Sequence, residues 1–309
     1  LTYADGATRM AGVTITSERG GRTYTVTGKE GQAGEGESKV ELSGGVRLEA
    51  SDGLVVTGAR ASWVKAENRV RMPGHVSFSR GRTSGTGVDL DYDQSQDIMT
   101  IGSSAKIAVQ AEKKGAAEMT LASGTLEFRR GDHVMRLDRG ARIVRNRQLI
   151  QAEQAVAHLT ATDESLELLE LRQRARITGN PSGAGGLRSM KGRDIDLRYR
   201  PDGQTLERAV ITGNADILLG AGRRQPGRQI AADSVSIELG RDGSTPSAMT
   251  ARTSVRVVMP GQQGAASRTI HADALDGTGD DRQGLTGAHF AGNVQFDERG
   301  RSEEHTSEL

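Results

Sequence analysis

The chain has 309 residues, of which 41 are basic and 40 acidic, so its net charge gives no electrostatic reason to expect a nucleic-acid partner. It contains no cysteine, which excludes disulfides, thiolate zinc sites and cysteine nucleophiles. Hydrophobic residues make up 35% and aromatic residues 3%, whereas 41 glycines are dispersed between short apolar runs. This composition predicts short strands and many tight turns rather than a thick globular core. No apolar run reaches the roughly 18 to 20 residues of a membrane span.

The two ends of the chain carry signs of an incomplete sequence. The first residue is Leu1, and we interpret the chain as beginning inside a longer reading frame. The last nine residues, 301–309 (RSEEHTSEL), match the translated opening of a widely used sequencing-library adapter. We therefore treat 301–309 as non-native and expect it to make no ordered contact with the rest of the chain. The natural protein is expected to continue past Gly300.

One short apolar segment recurs in chain order. It reads GVRLEA, HVSFSR, AKIAVQ, ARIVRN, ARITGN, ADILLG, SVRVVM and NVQFDE. Its second or third residue is Val46, Val76, Ile107, Ile143, Ile177, Ile217, Val255 or Val294, at spacings of 30, 31, 36, 34, 40, 38 and 39. Strands of fixed length joined by turns of variable length produce such drift, so the chain is predicted to be a repeat protein.

Two further elements lie between successive recurring segments. The first reads GARASW, GVDLDY, AEQAVAHL, GRDIDLRY or AADSVSIEL, and within it Ile195, Leu197 and Tyr199 alternate with charged residues. This alternation predicts a strand with one dry and one wet face. The second reads RVRMPG, DIMTIG, HVMRLD, LELLEL, RAVITG or GAHFAG and runs into the next recurring segment. Each repeat is therefore predicted to contain three short strands of about five to seven residues.

Turn signals and one ambiguous segment complete this prediction. Asp52-Gly53 and Asp242-Gly243 mark tight turns, because glycine supplies the positive φ that such turns require. Residues 164–173 (ESLELLELRQ) suit a short helix or a strand, and their place in the repeat favours a strand. The softest joint is the Gly- and Pro-rich loop 180–186. Stacked repeats bury a continuous interior, so we predict one β structure from about residue 1 to 298 with little helix.

Motifs of catalysis are missing from the sequence. The six histidines are scattered, and no nucleophile elbow, phosphate loop or dinucleotide fingerprint is present. The tripeptide Arg130-Gly131-Asp132 falls at a predicted turn and carries no weight as a motif. We therefore predict a protein that is not an enzyme and has no metal and no cofactor. A polysaccharide-acting solenoid enzyme would need carboxylates and aromatic residues clustered on one outer face, a pattern that the sequence does not show.

Two kinds of residue string resemble the OstA-type repeat of the periplasmic lipopolysaccharide-transport proteins, the LptA and LptC family. Residues 211–215 (ITGNA) and 290–294 (FAGNV) are similar to the L-T-G-N-V-like turn of that family. Residues 58–63, 192–199 and 231–239 are similar to its A-x-x-A-x-Y-like strand, and 12–80 resembles LptC. The chain departs from LptC in lacking its N-terminal membrane helix and in having more repeats.

This resemblance implies an elongated open β-jellyroll, or β-taco, within the all-β class. It implies an LptC-like jellyroll segment at 1–112 and an LptA/OstA-like continuation of the same jellyroll at 113–300. The implied role is a non-catalytic, periplasmic bridge in Gram-negative outer-membrane biogenesis, which binds the acyl chains of lipopolysaccharide and passes it toward the outer membrane. The implied partners are lipopolysaccharide, other Lpt-type jellyroll proteins by edge-strand addition, and an inner-membrane ABC transporter complex. An N-terminal helix missing from this sequence would anchor the protein to the inner membrane.

The resemblance also implies that inward-facing residues of the recurring segments line a lipid groove. These residues are Val46, Leu48, Val76, Phe78, Ile107, Val109, Ile143, Ile177, Ile217, Leu219, Val255 and Val257. For each one, packing as plain solenoid core is the other interpretation. For the whole chain, the alternative function is a structural or adhesive β-solenoid of the cell envelope that binds no lipid.

Overall fold

The computed structural model describes residues 2–4, 7–19, 21–34, 39–64, 66–110, 119–145, 148–163, 165–179, 186–221, 227–261 and 266–298. These residues form 24 strands, and no helix occurs among them. Accordingly, the described part of the chain has no helix that is long and apolar enough to span a membrane. The predicted all-β class is confirmed. The tail 301–309 and the predicted joint at 180–185 lie outside the described residues.

The chain divides into two compact units, Leu1–Asn146 and Arg147–Leu309. The strands of the N-terminal unit are β1 (Thr2–Ala4), β2 (Ala7–Arg19), β3 (Arg22–Ala33), β4 (Lys39–Ala50), β5 (Val55–Val64), β6 (Arg69–Arg80), β7 (Thr83–Asp93), β8 (Ile98–Val109), β9 (Met119–Ser123), β10 (Thr125–Arg129), β11 (Val134–Asp138) and β12 (Ala141–Arg145). Consecutive strands from β1 to β9 pair antiparallel, and β10 pairs with β8 and β11 while β12 pairs with β9.

The strands of the C-terminal unit are β13 (Gln148–Ala152), β14 (Gln154–Leu159), β15 (Leu166–Arg172), β16 (Ala175–Thr178), β17 (Leu187–Gly192), β18 (Asp194–Tyr199), β19 (Leu206–Leu219), β20 (Arg228–Leu239), β21 (Pro246–Met259), β22 (Arg268–Asp280), β23 (Gly284–Ala291) and β24 (Gln295–Glu298). Their pairings are also antiparallel, with β19 to β23 paired in chain order and β24 paired with β22. The segment 164–173, predicted as a strand, is confirmed over Leu166–Arg172.

The long strands bend near their middles. In β4 the pairing register shifts between Ser43 and Val46, where Gly44 and Gly45 have positive φ. Comparable shifts occur at the middles of β6, β19 and β21. An inserted residue with positive φ bends a strand sharply. Each bent strand therefore contributes to two half-sheets, which we name half-sheet I, carrying the recurring segments, and half-sheet II, on the other side of the bend.

This bend changes how each repeat is divided. The predicted elements RVRMPG and HVSFSR form one bent strand, β6, so the repeat is a pair of long bent strands instead of three short ones. From β9 to β18 the strands are short, with four to seven residues, because the bend interrupts the pairing. Between β15 and β16, for example, both Gln173 and Arg174 have positive φ. The predicted strand length therefore fits the middle of the chain and not its two ends.

Both half-sheets bury one apolar face. In the C-terminal unit, Ile217 of half-sheet I and Ile195, Leu197 and Ile211 of half-sheet II are at most 1% exposed. Side chains on alternate residues of a strand point to the same face, so the buried residues of each half-sheet form one continuous inner surface. The core of each unit lies between these two inner surfaces.

Candidate functional site

The twelve predicted groove residues all lie on half-sheet I and face the interior. Eleven of them are buried, and Val109, at the end of β8, is half-buried. Their immediate neighbours point outward, as Leu218 beside Ile217 shows by its 42% exposure. The structure thus places these residues on one inner face within each unit. Whether lipid contacts them stays a prediction.

In the N-terminal unit four of the predicted residues, Leu48, Phe78, Ile107 and Ile143, belong to an apolar row that runs across half-sheet I. Consecutive cross-strand partners in this row are Leu48, Val56, Phe78, Gly85, Ile107, Leu121 and Ile143. Gly85 has no side chain, and the Phe78 ring fills the space beside it, because a Cβ at position 85 would lie 2.2 Å from Phe78 Cζ. With strands about 4.8 Å apart, the row is roughly 29 Å long.

The C-terminal unit contains an equivalent row. Its consecutive cross-strand partners are Ile150, Ile177, Met190, Ile217, Ile230, Val257, Ile270 and Phe296. All except Phe296 are at most 5% exposed, whereas Phe296, at the last strand of the row, is 69% exposed. Every position of this row carries a large apolar side chain, so its inner surface is uninterrupted.

The twelve predicted groove residues include four of the seven members of the N-terminal row, three of the eight members of the C-terminal row and no residue of half-sheet II. The missed members include Val56, Leu121, Met190, Ile230 and Ile270, which lie on strands antiparallel to the recurring segments. The sequence does carry a signal for β20, because apolar residues alternate with polar ones along 235–239 (VSIEL), and the apolar ones are buried. The recurring segment marks only one strand of each antiparallel pair, whereas both strands of the pair contribute buried residues.

The interior is closed in both units. The eleven buried groove residues are between 0 and 7% exposed. Such burial requires protein side chains on every side, so the inner surfaces of half-sheets I and II pack against each other. A guest molecule in this interior would replace contacts between the half-sheets, and the half-sheets would have to part to admit it.

A shallow depression of about 790 Å³ lies on the outer face of half-sheet I in the N-terminal unit. Its outward-facing lining combines hydroxyl side chains such as Thr57, Ser77 and Thr86 with the cations Lys106 and Arg142. These outward-facing residues alternate with the buried row, so the depression opens on the outer face of the sheet. Phe78, Ile107 and Leu121 of the row also contribute to its lining.

Charged residues gather at the mouth of the N-terminal unit, which we define as the gap between the two half-sheets at the strand ends furthest from the bends. Arg22, Asp52 and Arg80 lie at the rim of half-sheet I, where β3 starts and β4 and β6 end. Asp97 and Arg130 lie at the rim of half-sheet II, before β8 and after β10. Arg22 Nη1 donates to Asp97 Oδ2 at 2.5 Å, and Arg130 Nη2 donates to Asp52 Oδ2. Both ion pairs cross the mouth.

A tyrosine pair lies directly beneath these ion pairs. Tyr24 and Tyr92 are 3% and 2% exposed, and their hydroxyl oxygens are 2.9 Å apart. Tyr92 Oη donates to Asp97 Oδ1 at 2.7 Å. Because the Tyr92 hydrogen is used on the carboxylate, the Tyr24 hydroxyl is the donor to Tyr92. The chain Tyr24–Tyr92–Asp97 therefore also joins half-sheet I to half-sheet II.

These contacts shift the proton affinities of the groups at the mouth. Burial alone would raise the pKa of Asp52, but the hydrogen bonds from Arg130 and from the Leu54 backbone lower it below its usual value. The pKa of Asp97 is lowered in the same way, since the hydrogen bonds from Arg22 and Tyr92 outweigh its burial. Burial, followed by the hydrogen bonds with Tyr24 and Asp97, raises the pKa of Tyr92. Both carboxylates are therefore ionised near neutral pH.

Arg130 has the least accessible charge of this group. Its side chain is 4% exposed. Its Nη2 atom binds Asp52, while its buried Nε and Nη1 atoms have no hydrogen-bond partner in the described part of the chain. A buried donor without a partner is uncommon and costly in folded proteins.

Among the described residues, no group of at least three His, Cys, Asp or Glu side chains is arranged to hold a metal ion.

No protein-family model and no curated protein matches the chain. Among solved structures, the chain is similar to LptH, the LptA homologous periplasmic component of the lipopolysaccharide transport device from Pseudomonas aeruginosa, at 17% sequence identity and a TM-score of 0.32. The match covers 35% of this chain and 79% of LptH. At this identity and TM-score the likeness assigns no function.

Proposed function

We propose that this protein is a non-catalytic, periplasmic component of a lipopolysaccharide-transport bridge, which binds acyl chains between its half-sheets and passes them toward the outer membrane. The observation that carries the proposal is the continuous apolar row on half-sheet I of each unit. The residue strings that resemble the OstA-type repeat support the choice of lipopolysaccharide. Other jellyroll proteins of the Lpt type and an inner-membrane ABC transporter complex are the proposed partners.

An apolar row of this kind suits a guest with a long hydrocarbon chain. Burial of each CH₂ group stabilises binding by about 0.8 kcal/mol, without any directional contact. The rows consist mainly of Leu, Ile, Val and Met, so they present no polar group that would hold one part of the chain in place. A guest that slides between equivalent positions needs no catalytic residue, in agreement with a passive conduit.

Edge-strand addition has a candidate surface at the C-terminal unit. Phe296 of β24 continues the apolar row and is 69% exposed, and Val294, which precedes it, is 40% exposed. An exposed strand with an apolar inward face is a template for another chain. Addition of a jellyroll partner there would extend the row, as a bridge requires.

The alternative, a structural β-solenoid that binds no lipid, is favoured by a different observation. The groove residues of both units are almost completely buried by the protein itself. A stable core needs that burial whether or not a lipid is ever bound. The two functions differ in whether the half-sheets part.

Photo-crosslinking at two adjacent positions distinguishes them. A photoreactive amino acid replaces Ile217, which faces the interior, or Leu218, which faces outward and is 42% exposed. Both variants are expressed in a Gram-negative host and irradiated, and adducts with lipopolysaccharide are identified by mass spectrometry. We expect adducts at position 217 and none at 218, because only the inner face contacts the guest.

The control variant makes a negative result informative. Folding of both variants is checked by circular dichroism, and a known lipopolysaccharide carrier is labelled in parallel. A folded protein without adducts at 217, or with equal adducts at 217 and 218, would contradict the conduit and favour the structural solenoid.

A further inference from the structure

The ion pairs at the mouth of the N-terminal unit hold its half-sheets together. Arg22 and Asp52 belong to half-sheet I, while Asp97 and Arg130 belong to half-sheet II. In the closed unit each arginine binds the carboxylate of the other half-sheet. Parting of the half-sheets must therefore break both pairs.

The same residues have second partners within their own half-sheets. Arg22 Nε lies 3.6 Å from Asp52 Oδ2, and Arg80 Nε lies 3.7 Å from the same oxygen. On the other side, Arg130 Nη1 lies 3.6 Å from Asp97 Oδ1. An opening movement can therefore exchange crossing pairs for pairs within one half-sheet. The exchange avoids an isolated buried charge, which is the most costly outcome of breaking a buried ion pair.

The unused hydrogen-bond donors of Arg130 suit an oxyanion ligand. A guanidinium presents two edges, Nε with Nη2 and Nη1 with Nη2, each of which matches two oxygens of a phosphate group. Asp52 engages only Nη2, so each edge is half used and the buried Nε and Nη1 donors lack hydrogen bonds among the described residues. An oxyanion that occupies one full edge makes one more charge-assisted hydrogen bond than Asp52 does.

We propose that Arg130 is the binding site for a phosphate-class oxyanion whose occupation opens the mouth of the N-terminal unit. The oxyanion binds an edge of Arg130 and displaces Asp52, which then pairs with Arg22 and Arg80 on its own half-sheet. Because Nε and Nη1 of Arg130 are inaccessible in the closed unit, the oxyanion binds the open state and shifts the population toward it.

This inference deepens the proposed function and rests on it in one respect, the source of the phosphate. A phosphate on the headgroup of an amphiphile would open the mouth just where its acyl chains have to enter. Free phosphate has the same chemistry and lacks the chains, so the two sources are separable.

A distance measurement along one bent strand reports the opening. The chain contains no cysteine, so Arg82→Cys and Ser95→Cys introduce two unique labelling sites at exposed positions beside the two ends of β7. Nitroxide labels at both sites report by pulsed electron paramagnetic resonance how far the ends of β7 are apart. The ligands are inorganic phosphate, dodecyl phosphate and dodecyl maltoside, with chloride at matched ionic strength.

We expect both phosphates to lengthen the distance, and chloride and dodecyl maltoside to leave it unchanged. Dodecyl phosphate acting at a lower concentration than inorganic phosphate assigns the site to a headgroup. Equal potency of the two phosphates contradicts the headgroup and retains the oxyanion site. An unchanged distance with both phosphates overturns the proposal.

Two arginine variants make the test specific. Because Arg130→Gln removes one crossing pair together with the phosphate-binding edge, its label distance should already be longer without phosphate, and any further response should need a phosphate concentration higher by roughly tenfold or more, as expected for the loss of charge-assisted hydrogen bonds. Arg129→Gln is the matched control, because Arg129 is the exposed neighbour that pairs with Glu127 on its own half-sheet. Equal responses of the two variants would overturn the proposal. If Arg130→Gln fails to fold, Arg130→Lys keeps the charge without the two-donor edge and should show the same weakening.

The phosphate experiment and the lipid crosslinking experiment can fail separately. Position 217 lies in the C-terminal unit, so adducts there test lipid contact without any requirement on Arg130. Opening by inorganic phosphate in the absence of adducts would retain the oxyanion site and remove the bridge function. Adducts at 217 without any phosphate response would support lipid contact and remove the oxyanion site.

Discussion

Asp52 of the N-terminal unit and Asp242 of the C-terminal unit occupy the same local position in two Asp-Gly turns. Each carboxylate accepts hydrogen bonds from backbone N–H groups of its own turn, from Leu54 in one case and from Ser244 and Thr245 in the other. Asp52 also accepts a hydrogen bond from Arg130 across the mouth, whereas the second oxygen of Asp242 binds the Ser244 and Thr245 hydroxyls. One sequence motif thus serves a turn alone in one unit and a turn plus a closure in the other.

Among the described residues of the C-terminal unit, a backbone hydrogen bond joins the two rims. The Leu187 N–H at the start of β17 donates to the Ser244 carbonyl at 3.1 Å. Other ions, phosphate among them, can compete with the partners of an ion pair, whereas a backbone hydrogen bond has no charged group for them to bind. Two units with similar apolar rows thus differ in how their described rims are joined, by ion pairs across the N-terminal mouth and by a backbone hydrogen bond in the C-terminal unit.

The largest expected effect is the loss of stability when a charge is placed in the apolar interior of either unit. Ile107→Asp and Ile217→Asp should each lower the free energy of unfolding by several kcal/mol, because each places a charge in a closed apolar interior. Under the proposed function, lipopolysaccharide should also no longer co-purify with Ile217→Asp. Urea denaturation measures the stability, with Leu218→Asp as an outward-facing control that should change it by less than about 0.5 kcal/mol. A near-neutral Ile217→Asp would show that the interior is wet and not closed.

A smaller effect is expected where the two rows differ. Gly85 is the one row position without a side chain, and a Cβ there would lie 2.2 Å from Phe78 Cζ and 2.8 Å from the Lys106 carbonyl oxygen. Gly85→Ala should therefore destabilise the protein by about 1–3 kcal/mol through overpacking. Adding Phe78→Leu should restore part of this loss, because it removes the first contact and leaves the second. Additive losses in the double variant, measured by thermal unfolding, would contradict this packing.

The inner face was predictable from sequence, and the reason is physical. Alternation of apolar and polar residues fixes which side of a strand is buried, and recurrence fixes which strands are equivalent. That was enough to predict that these residues face inward, and eleven of the twelve are buried, while their contact with lipid stays a prediction. Val109, the last residue of β8, is the exception and is half-buried.

The closure was not predictable, because its members share no pattern. Arg22 and Asp97 are 75 residues apart, and Asp52 and Arg130 are 78 apart. Asp52, Asp97 and Arg130 lie outside the strands, in turns of varying length, so repeat periodicity does not align them. Asp52 was visible only as a turn residue and Arg130 only as part of a tripeptide without weight. Long-range ion pairs depend on how strand ends meet, which requires the fold.

Asp52 and Asp242 should differ in how much stability is lost when their charge is removed. Asp52→Asn and Asp242→Asn both keep an oxygen that can accept from the turn backbone and both remove the charge. Asp52→Asn removes the carboxylate that the Arg130 guanidinium, only 4% exposed, binds through Nη2. It leaves Asp97, 3.6 Å from Nη1, as the remaining counter-charge, and should cost about 1–3 kcal/mol. Asp242→Asn should cost less than about 0.5 kcal/mol. Equal costs in urea denaturation would mean that the crossing ion pair contributes nothing to the N-terminal unit.

The smallest effect is an acid transition of the N-terminal mouth. The pKa values of Asp52 and Asp97 are lowered in the folded protein. A carboxyl group with a lowered folded pKa contributes stability that is fully present above its unfolded pKa of about 3.9 and is lost as the pH falls through the folded value. The label distance along β7 should therefore be constant at neutral pH and lengthen below about pH 4, as protonation breaks the crossing pairs. In Asp97→Asn the distance should already be longer at neutral pH and should change less on acidification. An acid transition of the same size in Asp97→Asn would assign it to other carboxylates and remove the charge-controlled closure that distinguishes the N-terminal unit.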